Sequence, residues 1–220
     1  MTSSPDSRGD FPAERRMVAD RTAKQLRALE LFSQSGAFLE GHFVYTSGRH
    51  GRQYLEKFRL LERAEYTEAL CRMIAAVFEE SGAEVVAAPT TGGIIMAYEV
   101  GRLLGVPGIF CERGEGGRGR VFRRGFRIEP GRKVLVVDDI VTTGGSLNDT
   151  FAAVEALGGI VVGVGVLADR SGGKVDLPYP YFACLEVGFE TWAAQDCPLC
   201  AAGDTPEGHR GSSVSADPLT

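Results

Sequence analysis

The chain has 220 residues, 44% hydrophobic and 24% charged, an ordinary balance for a soluble globular protein with one sizeable core. Its net charge of −5 gives no electrostatic support for general nucleic-acid binding. No apolar run approaches the ~18 residues needed to cross a bilayer, the opening residues lack a signal-peptide core, and five scattered cysteines then point to reduced thiols in the cytoplasm.

Residues 1–20, rich in Ser, Pro, Arg and Asp, read as a disordered leader. A first helix is predicted over 22–35, with Leu26, Leu29 and Phe32 on one face and Gly36 to end it. Residues 41–50 read as a short strand and a turn, and 53–61 as a second strand carrying Lys57 and Arg59. The clearest helix spans 66–80, where Tyr66, Leu70, Met73, Ile74, Val77 and Phe78 recur at helical spacing before Gly82. A short buried strand at 84–88 ends in Pro89-Thr90-Thr91-Gly92-Gly93, and a helix follows over 94–104. Next come a strand at 106–111, a Gly- and Arg-rich span at 112–132, a strand at 134–137, and a helix over 147–157 with Leu147, Phe151 and Val154 inward. Strands at 160–167 and 181–187 complete the pattern, and from residue 204 a Gly/Ser/Pro-rich tail reads as disordered. Strands alternating with helices imply an α/β fold on a parallel sheet. One domain over 21–203 is expected, with a core at about 64–169 and a small hood built from about 24–62 and 170–200.

The chemistry concentrates where Val134-Leu135-Val136-Val137 runs into Asp138-Asp139, then Ile140-Val141-Thr142-Thr143-Gly144-Gly145-Ser146. A continuous apolar run suits a strand covered on both faces, so the carboxylates fall at its C-terminal edge, where open α/β sheets bind ligands. The turn after it offers backbone N–H groups, hydroxyls and a helix N-terminus, which favour phosphate. An acid pair beside a phosphate cradle suits a ligand carrying both a diol and a phosphate. The Pro89–Gly93 turn ends a second strand in the same way.

Val136-Val137-Asp138-Asp139-Ile140-Val141-Thr142-Thr143-Gly144-Gly145-Ser146 resembles the phosphoribosyl pyrophosphate (PRPP) signature of the type I phosphoribosyltransferases. The resemblance implies that family's fold: a central parallel sheet flanked by helices, with a small hood from the N- and C-terminal segments. It implies that Asp138 and Asp139 hold the ribose 2′ and 3′ hydroxyls. Ile140, Val141, Thr142, Thr143, Gly144, Gly145 and Ser146 form the rest of the PRPP site, with 142–146 wrapping the 5′-phosphate. Thr90, Thr91 and Gly92 would contact the pyrophosphate, although many family members carry Lys where Gly92 stands. Lys57 is a further candidate for the pyrophosphate.

Between residues 112 and 133 lie eight basic side chains and three acidic ones, a local excess of +5 in a chain of −5. The G-x-G-x-x-G match at Gly114–Gly119 is rejected as a dinucleotide fingerprint, because a strand edge rather than a helix follows it. A basic loop beside a phosphate site can close over departing pyrophosphate and exclude water. Arg113, Arg123 and Arg124 are the candidate catalytic cations.

The string from Gly41-His42-Phe43 through Ser47-Gly48-Arg49-His50 to Gln53-Tyr54-Leu55 resembles the N-terminal cap of orotate phosphoribosyltransferases, and Ala168-Asp169-Arg170-Ser171-Gly172-Gly173 resembles their orotate-binding segment. Arg170, which can grip a carboxylate through a bidentate fork, and Thr142 are thus the expected orotate ligands. The resemblance implies a cytoplasmic pentosyltransferase of pyrimidine (UMP) biosynthesis that converts PRPP and orotate to orotidine 5′-monophosphate and pyrophosphate. It also implies Mg²⁺ as cofactor, and a homodimer whose loop 112–126 reaches the neighbouring site. Neither nucleic acid nor membrane is an expected partner. The alternatives are a purine or uracil phosphoribosyltransferase, and a PRPP-sensing regulator, which would normally add a DNA-binding domain.

Cys197-Pro198-Leu199-Cys200 is a single C-x-x-C motif. Its nearest candidate partners for zinc, Cys184 and His209, have no recognised spacing. No metal ligand from protein side chains is therefore expected, and the motif is read as structural or incidental.

Overall fold

The computed structural model describes residues 12–206 and 209–210, with side chains from residue 22 to 206. The expectation for residues 1–11 lies outside the described residues. In chain order the elements are α1 (Pro12–Gln34), β1 (Phe38–Tyr45), β2 (His50–Leu55), α2 (Phe58–Leu61), α3 (Ala64–Phe78), β3 (Val85–Pro89), α4 (Gly92–Leu104), β4 (Gly108–Arg113) and β5 (Arg120–Phe122). They continue with β6 (Lys133–Val141), α5 (Gly145–Ala156), β7 (Ile160–Asp169), β8 (Tyr181–Glu186), β9 (Thr191–Trp192), α6 (Pro198–Ala201) and β10 (His209–Arg210).

A six-stranded sheet in the order β5-β4-β3-β6-β7-β8 forms the core, all pairs parallel except β4–β5. The alternation of β6 explains its unbroken apolar run. Val134 and Val136 join Leu147, Phe151 and Val154 of α5 on one face. Leu135 and Val137 join α1, α3 and α4 on the other. With both faces covered, a period-two strand shows no polar positions. From β3 the chain passes to β4 on one side, while β6 leads to β7 and β8 on the other. The reversal opens a crevice between the C-terminal ends of β3 and β6, a topological switch point.

The α3 helix packs on this sheet through Thr67, Leu70, Cys71, Ile74, Ala75 and Phe78. That stripe is rotated from the predicted one: Val77 is exposed, and Thr67, Cys71 and Ala75 take inner places. Small residues opposite make room, since a Cβ at Gly163 or Gly165 of β7 would collide with Phe78 or Ile74. A 3₁₀ turn (Glu79–Ser81) extends α3 to Gly82, whose φ of 69° lets the chain turn away.

A second sheet, β10-β1-β2-β9, unites segments from both ends of the chain. Arg49 stitches it, donating from Nε to Thr191 Oγ1 at 2.8 Å and from Nη2 to Thr191 O at 2.6 Å. A register shift between Glu40 and Phe43 interrupts the β1–β2 ladder around His42.

Several expectations are corrected. The first helix starts at Pro12, so residues 12–20 are helical rather than leader. Their Ala, Arg, Glu and Met content favours helix, although it reads as polar low complexity. Its inner face is Ala28, Leu31 and Phe32, whereas Leu26 is 63% exposed and Leu29 is also exposed. The predicted strand at 53–61 stops at Leu55, and 58–61 is the single turn α2. The predicted strand at 134–137 runs on to Val141, so the two carboxylates lie within it. His209 and Arg210 pair with Val44 and Tyr45, so that part of the tail is strand. Residues 207–208 and 211–220 lie outside the described residues.

Candidate active site

Asp138 and Asp139 are 6% and 4% exposed, near the C-terminal end of β6. Asp138 Oδ1 accepts from the Asp139 N–H at 2.8 Å, and Asp139 Oδ1 accepts from the Ile140 N–H at 2.7 Å. Burial, with the Asp139 charge beside it, pushes the Asp138 carboxyl up to about 8. Val141 is buried while Thr142 and Thr143 are exposed at the turn. Gly144 makes that turn at φ 79°, where its Hα faces Val175 and Leu177, and α5 begins at Gly145. The first-turn N–H groups of this 12-residue helix, next to the Thr142, Thr143 and Ser146 hydroxyls, are donors of the kind that suit an anion.

The end of β3 faces the same crevice. Thr90 and Thr91 form the turn into α4. A Cβ at Gly92 would collide with Asp139 Oδ2 and lie 3.1 Å from Leu61 Cδ1, so a side chain there would displace the Asp139 carboxylate. The positive charge arrives instead from the residue before α2: Lys57 Nζ lies 2.7 Å from Asp139 Oδ2. Lys57, a minor candidate from the sequence, is thereby a member of the cluster.

The basic span folds partly into a hairpin, with Cys111, Glu112 and Arg113 opposite Phe122, Val121 and Arg120. Arg120, which the sequence did not single out, bridges the turns that follow β3 and β6. Its Nη2 donates to Ser146 Oγ at 2.8 Å and its Nη1 to Thr90 Oγ1 at 3.2 Å. Arg124 is held elsewhere, donating through Nη2 to Glu112 Oε1 at 2.6 Å with its guanidinium over Phe110. Arg113 and Arg123 are exposed. A hairpin pattern places Arg120 next to the site only once the strand register is known, and that register is set by tertiary pairing.

Arg170 follows β7, its N–H donating to Val141 O at 2.8 Å, which puts it beside Thr142. Its guanidinium carbon lies 5.3 Å from the Tyr45 ring centroid and 4.7 Å from that of Phe189. Its Nε is buried and has no hydrogen-bond partner among the described residues. Burial lowers the Arg170 pKa from the usual guanidinium value. The neighbouring Asp169 does not pair with it: Asp169 Oδ1 accepts from the Ser171 N–H at 2.7 Å. An arginine stacked in this way, with an unmet donor, is prepared for a planar anion.

Of the two partners weighed from the sequence for Cys197 and Cys200, the structure describes the side chain of one. Cys184 is buried in the core against Leu70 O, and the His209 side chain lies outside the described residues. The side chains that do converge on the motif are His42 and His50. They are about 150 residues away in sequence, beyond the reach of any spacing rule.

The family described as phosphoribosyl transferase domain matches residues 62–199. An orotate phosphoribosyltransferase of Pelotomaculum thermopropionicum is 49% identical over 173 residues, covering 79% of this chain and 90% of the relative. One from Desulforamulus reducens is 46% identical, covering 80% and 91%. Among solved structures, orotate phosphoribosyltransferase from Aeropyrum pernix superposes with a TM-score of 0.62 at 24% identity, covering 72% of this chain and 92% of that one. An adenine phosphoribosyltransferase from Thermoanaerobacter pseudethanolicus gives 0.54 at 21% identity, covering 62% and 89%. At these identities the structures speak for the fold alone.

Proposed function

The chain belongs to the phosphoribosyltransferase family, and on that premise we propose that it transfers the ribose 5-phosphate group of PRPP to orotate, giving orotidine 5′-monophosphate and pyrophosphate. This is a pentosyl transfer of pyrimidine biosynthesis. The observation that carries the acceptor assignment is Arg170, stacked on Tyr45 and Phe189 with a buried Nε that has no partner among the described residues, one strand from Asp138, Asp139 and the 142–146 turn. A pyrimidine carboxylate offers the planar anion such an arginine lacks. The 49% identity to a relative of that name supports the same acceptor.

Asp138 and Asp139 accept hydrogen bonds from the ribose hydroxyls. The 142–146 turn donates to the 5′-phosphate, and Thr142 also borders the base. Thr90, Thr91 and the Gly92 backbone face the pyrophosphate, and Lys57 and Arg120 supply positive charge where negative charge accumulates. A ring nitrogen of orotate attacks the anomeric carbon as the bond to the pyrophosphate oxygen breaks, through a state of oxocarbenium character. The new C–N bond replaces the C–O bond, pyrophosphate carries the electron pair away, and the proton of the ring nitrogen passes to solvent or to pyrophosphate. Catalysis is then mainly positioning and charge stabilisation, and no covalent enzyme intermediate is needed.

Mg²⁺ suits this site. Two adjacent buried carboxylates stand at the crevice, and carboxylate oxygens are what a hard cation prefers. Substrate oxygens and water would hold most of its coordination sphere, with Asp138 and Asp139 as the nearest protein oxygens. When bound, it neutralises charge on the pyrophosphate. The protein is assigned to the cytoplasm and to a homodimer. The base of the hairpin would serve its own site through Arg120, and the exposed tip around Arg118 would reach the partner's site. Among the described residues no helix is long and apolar enough to cross a membrane.

Steady-state kinetics of Arg170→Ala test the acceptor role. Orotate KM should rise about 10- to 100-fold, the ~1.5–3 kcal/mol of a hydrogen bond to a charged group, while PRPP binding persists. Equal loss of both substrates would assign Arg170 a structural role.

A further inference from the structure

We propose that His42, His50, Cys197 and Cys200 form a structural zinc site that clips the end of the chain to the hood sheet. The four donor atoms, one from each residue, all lie within 4.8 Å of one another. His42, His50 and Cys197 are 1%, 8% and 2% exposed, and Cys200 sits at the surface.

The distances suit one tetrahedral ion. With Zn–S of about 2.3 Å and Zn–N of about 2.0–2.1 Å, a tetrahedron has N–S edges of about 3.6 Å and an N–N edge of about 3.3 Å. Three of the four sulfur–nitrogen separations are 3.5 Å (Cys197 to His42), 3.7 Å (Cys200 to His42) and 3.4 Å (Cys200 to His50), and the fourth (Cys197 to His50) lies within 4.8 Å. The His42 Nε2 to His50 Nδ1 distance is 2.9 Å, which a small outward shift of either ring would correct.

Hydrogen bonds alone account poorly for this cluster. His42 Nδ1 lies 2.9 Å from Asp204 O, and a carbonyl can only accept, so the ring proton sits on Nδ1. Nε2 then has a single lone pair, yet it faces the His50 nitrogen and both sulfurs. One cation satisfies what three competing donors cannot. The Nδ1–H bond to a main-chain carbonyl is also the outer contact that metal-bound histidines habitually make.

Two thiolates and two imidazoles in tetrahedral array select zinc over magnesium or calcium, which take oxygen. A two-iron cluster would separate the histidines from the cysteines across two metals, whereas all four donors here converge on one point. With four protein ligands the site has no open position, so its role is structural. It would join β1, β2 and α6. His42 lies three residues before Tyr45, whose ring stacks on Arg170, so the clip steadies the hood wall of the acceptor site.

Elemental analysis of the full-length protein, purified with reductant and zinc in the growth medium, should find about one zinc per chain. Replacing it with Co²⁺ should give the visible absorption of tetrahedral cobalt together with thiolate-to-cobalt charge transfer. Removal by a strong chelator should lower Tm, and adding back zinc alone should restore it. A Cys197→Ser/Cys200→Ser variant should bind no zinc; if it fails to fold, the cobalt spectrum of the unmodified protein decides. Protein without zinc under these conditions, cobalt bound without thiolate charge transfer, or full zinc retained by a folded double variant would overturn the proposal.

Discussion

At the scale of single residues, the acid pair gives the site a pH signature. Folding raises the Asp138 pKa from 3.8 to about 8, so the native state holds this proton more tightly than the unfolded chain. The contribution to stability is therefore full below the ordinary carboxylate range and is lost as pH climbs to about 8. Denaturant unfolding of the substrate-free protein should show that decline, and Asp138→Asn, which cannot titrate, should flatten it; an unchanged slope in the variant would assign the dependence to other groups. Arg120 bridges Thr90 and Ser146, and its loss should be felt in turnover. We expect Arg120→Ala to lower kcat by about a hundredfold, the order seen when one transition-state donor is removed, with Tm changed little. The sequence made Asp138 and Asp139 legible because an apolar run delivers them to a strand end. It could not choose Arg120 from among the eight basic residues of the span, because that choice depends on which residue pairs with Arg113 across the hairpin. Lys57 was equally undecided, since only the position of α2 brings its ammonium to Asp139.

At the scale of elements, close approach explains the glycines that matter. Gly165 of β7 lies under Ile74 of α3, and an added methyl there would drive the helix off the sheet. Gly165→Ala should cost about 1–3 kcal/mol by overpacking, a fall in Tm of roughly 2–4 °C per kcal/mol for a domain of this size; an unchanged Tm would mean that the helix yields freely. The elements of the core were readable because periodicity and burial agree in them: β6 and α5 have both faces or one clear stripe settled by the sheet. Readability failed in the outer elements. The first helix carries its polar start in a composition that also suits a leader, and its inner face turned out to be Ala28, Leu31 and Phe32. The segment from 53 to 61 has strand-like residues throughout, but β2 ends where its partner β1 begins, at Phe38 opposite Leu55.

At the scale of the whole molecule, two sheets divide the chemistry. The six-stranded sheet brings the donor groups together at its switch point, and the hood sheet supplies Tyr45 against Arg170. The hood depends on contacts between residues far apart in sequence, His42 and His50 with Cys197 and Cys200 above all, and a single sequence does not display such pairings. If the hairpin tip completes the partner's site, mixing an inactive Asp138→Ala/Asp139→Ala subunit with a subunit lacking residues 115–118 should restore part of the activity that neither variant has alone. No recovery would confine each hairpin to its own site. The central claim is that this chain joins PRPP to orotate. It is tested most directly by assaying the purified protein with PRPP, Mg²⁺ and orotate, uracil, adenine or hypoxanthine in turn. The account predicts stoichiometric orotidine 5′-monophosphate and pyrophosphate from orotate alone, whereas turnover of another base with orotate untouched, or PRPP binding without turnover of any base, would contradict it.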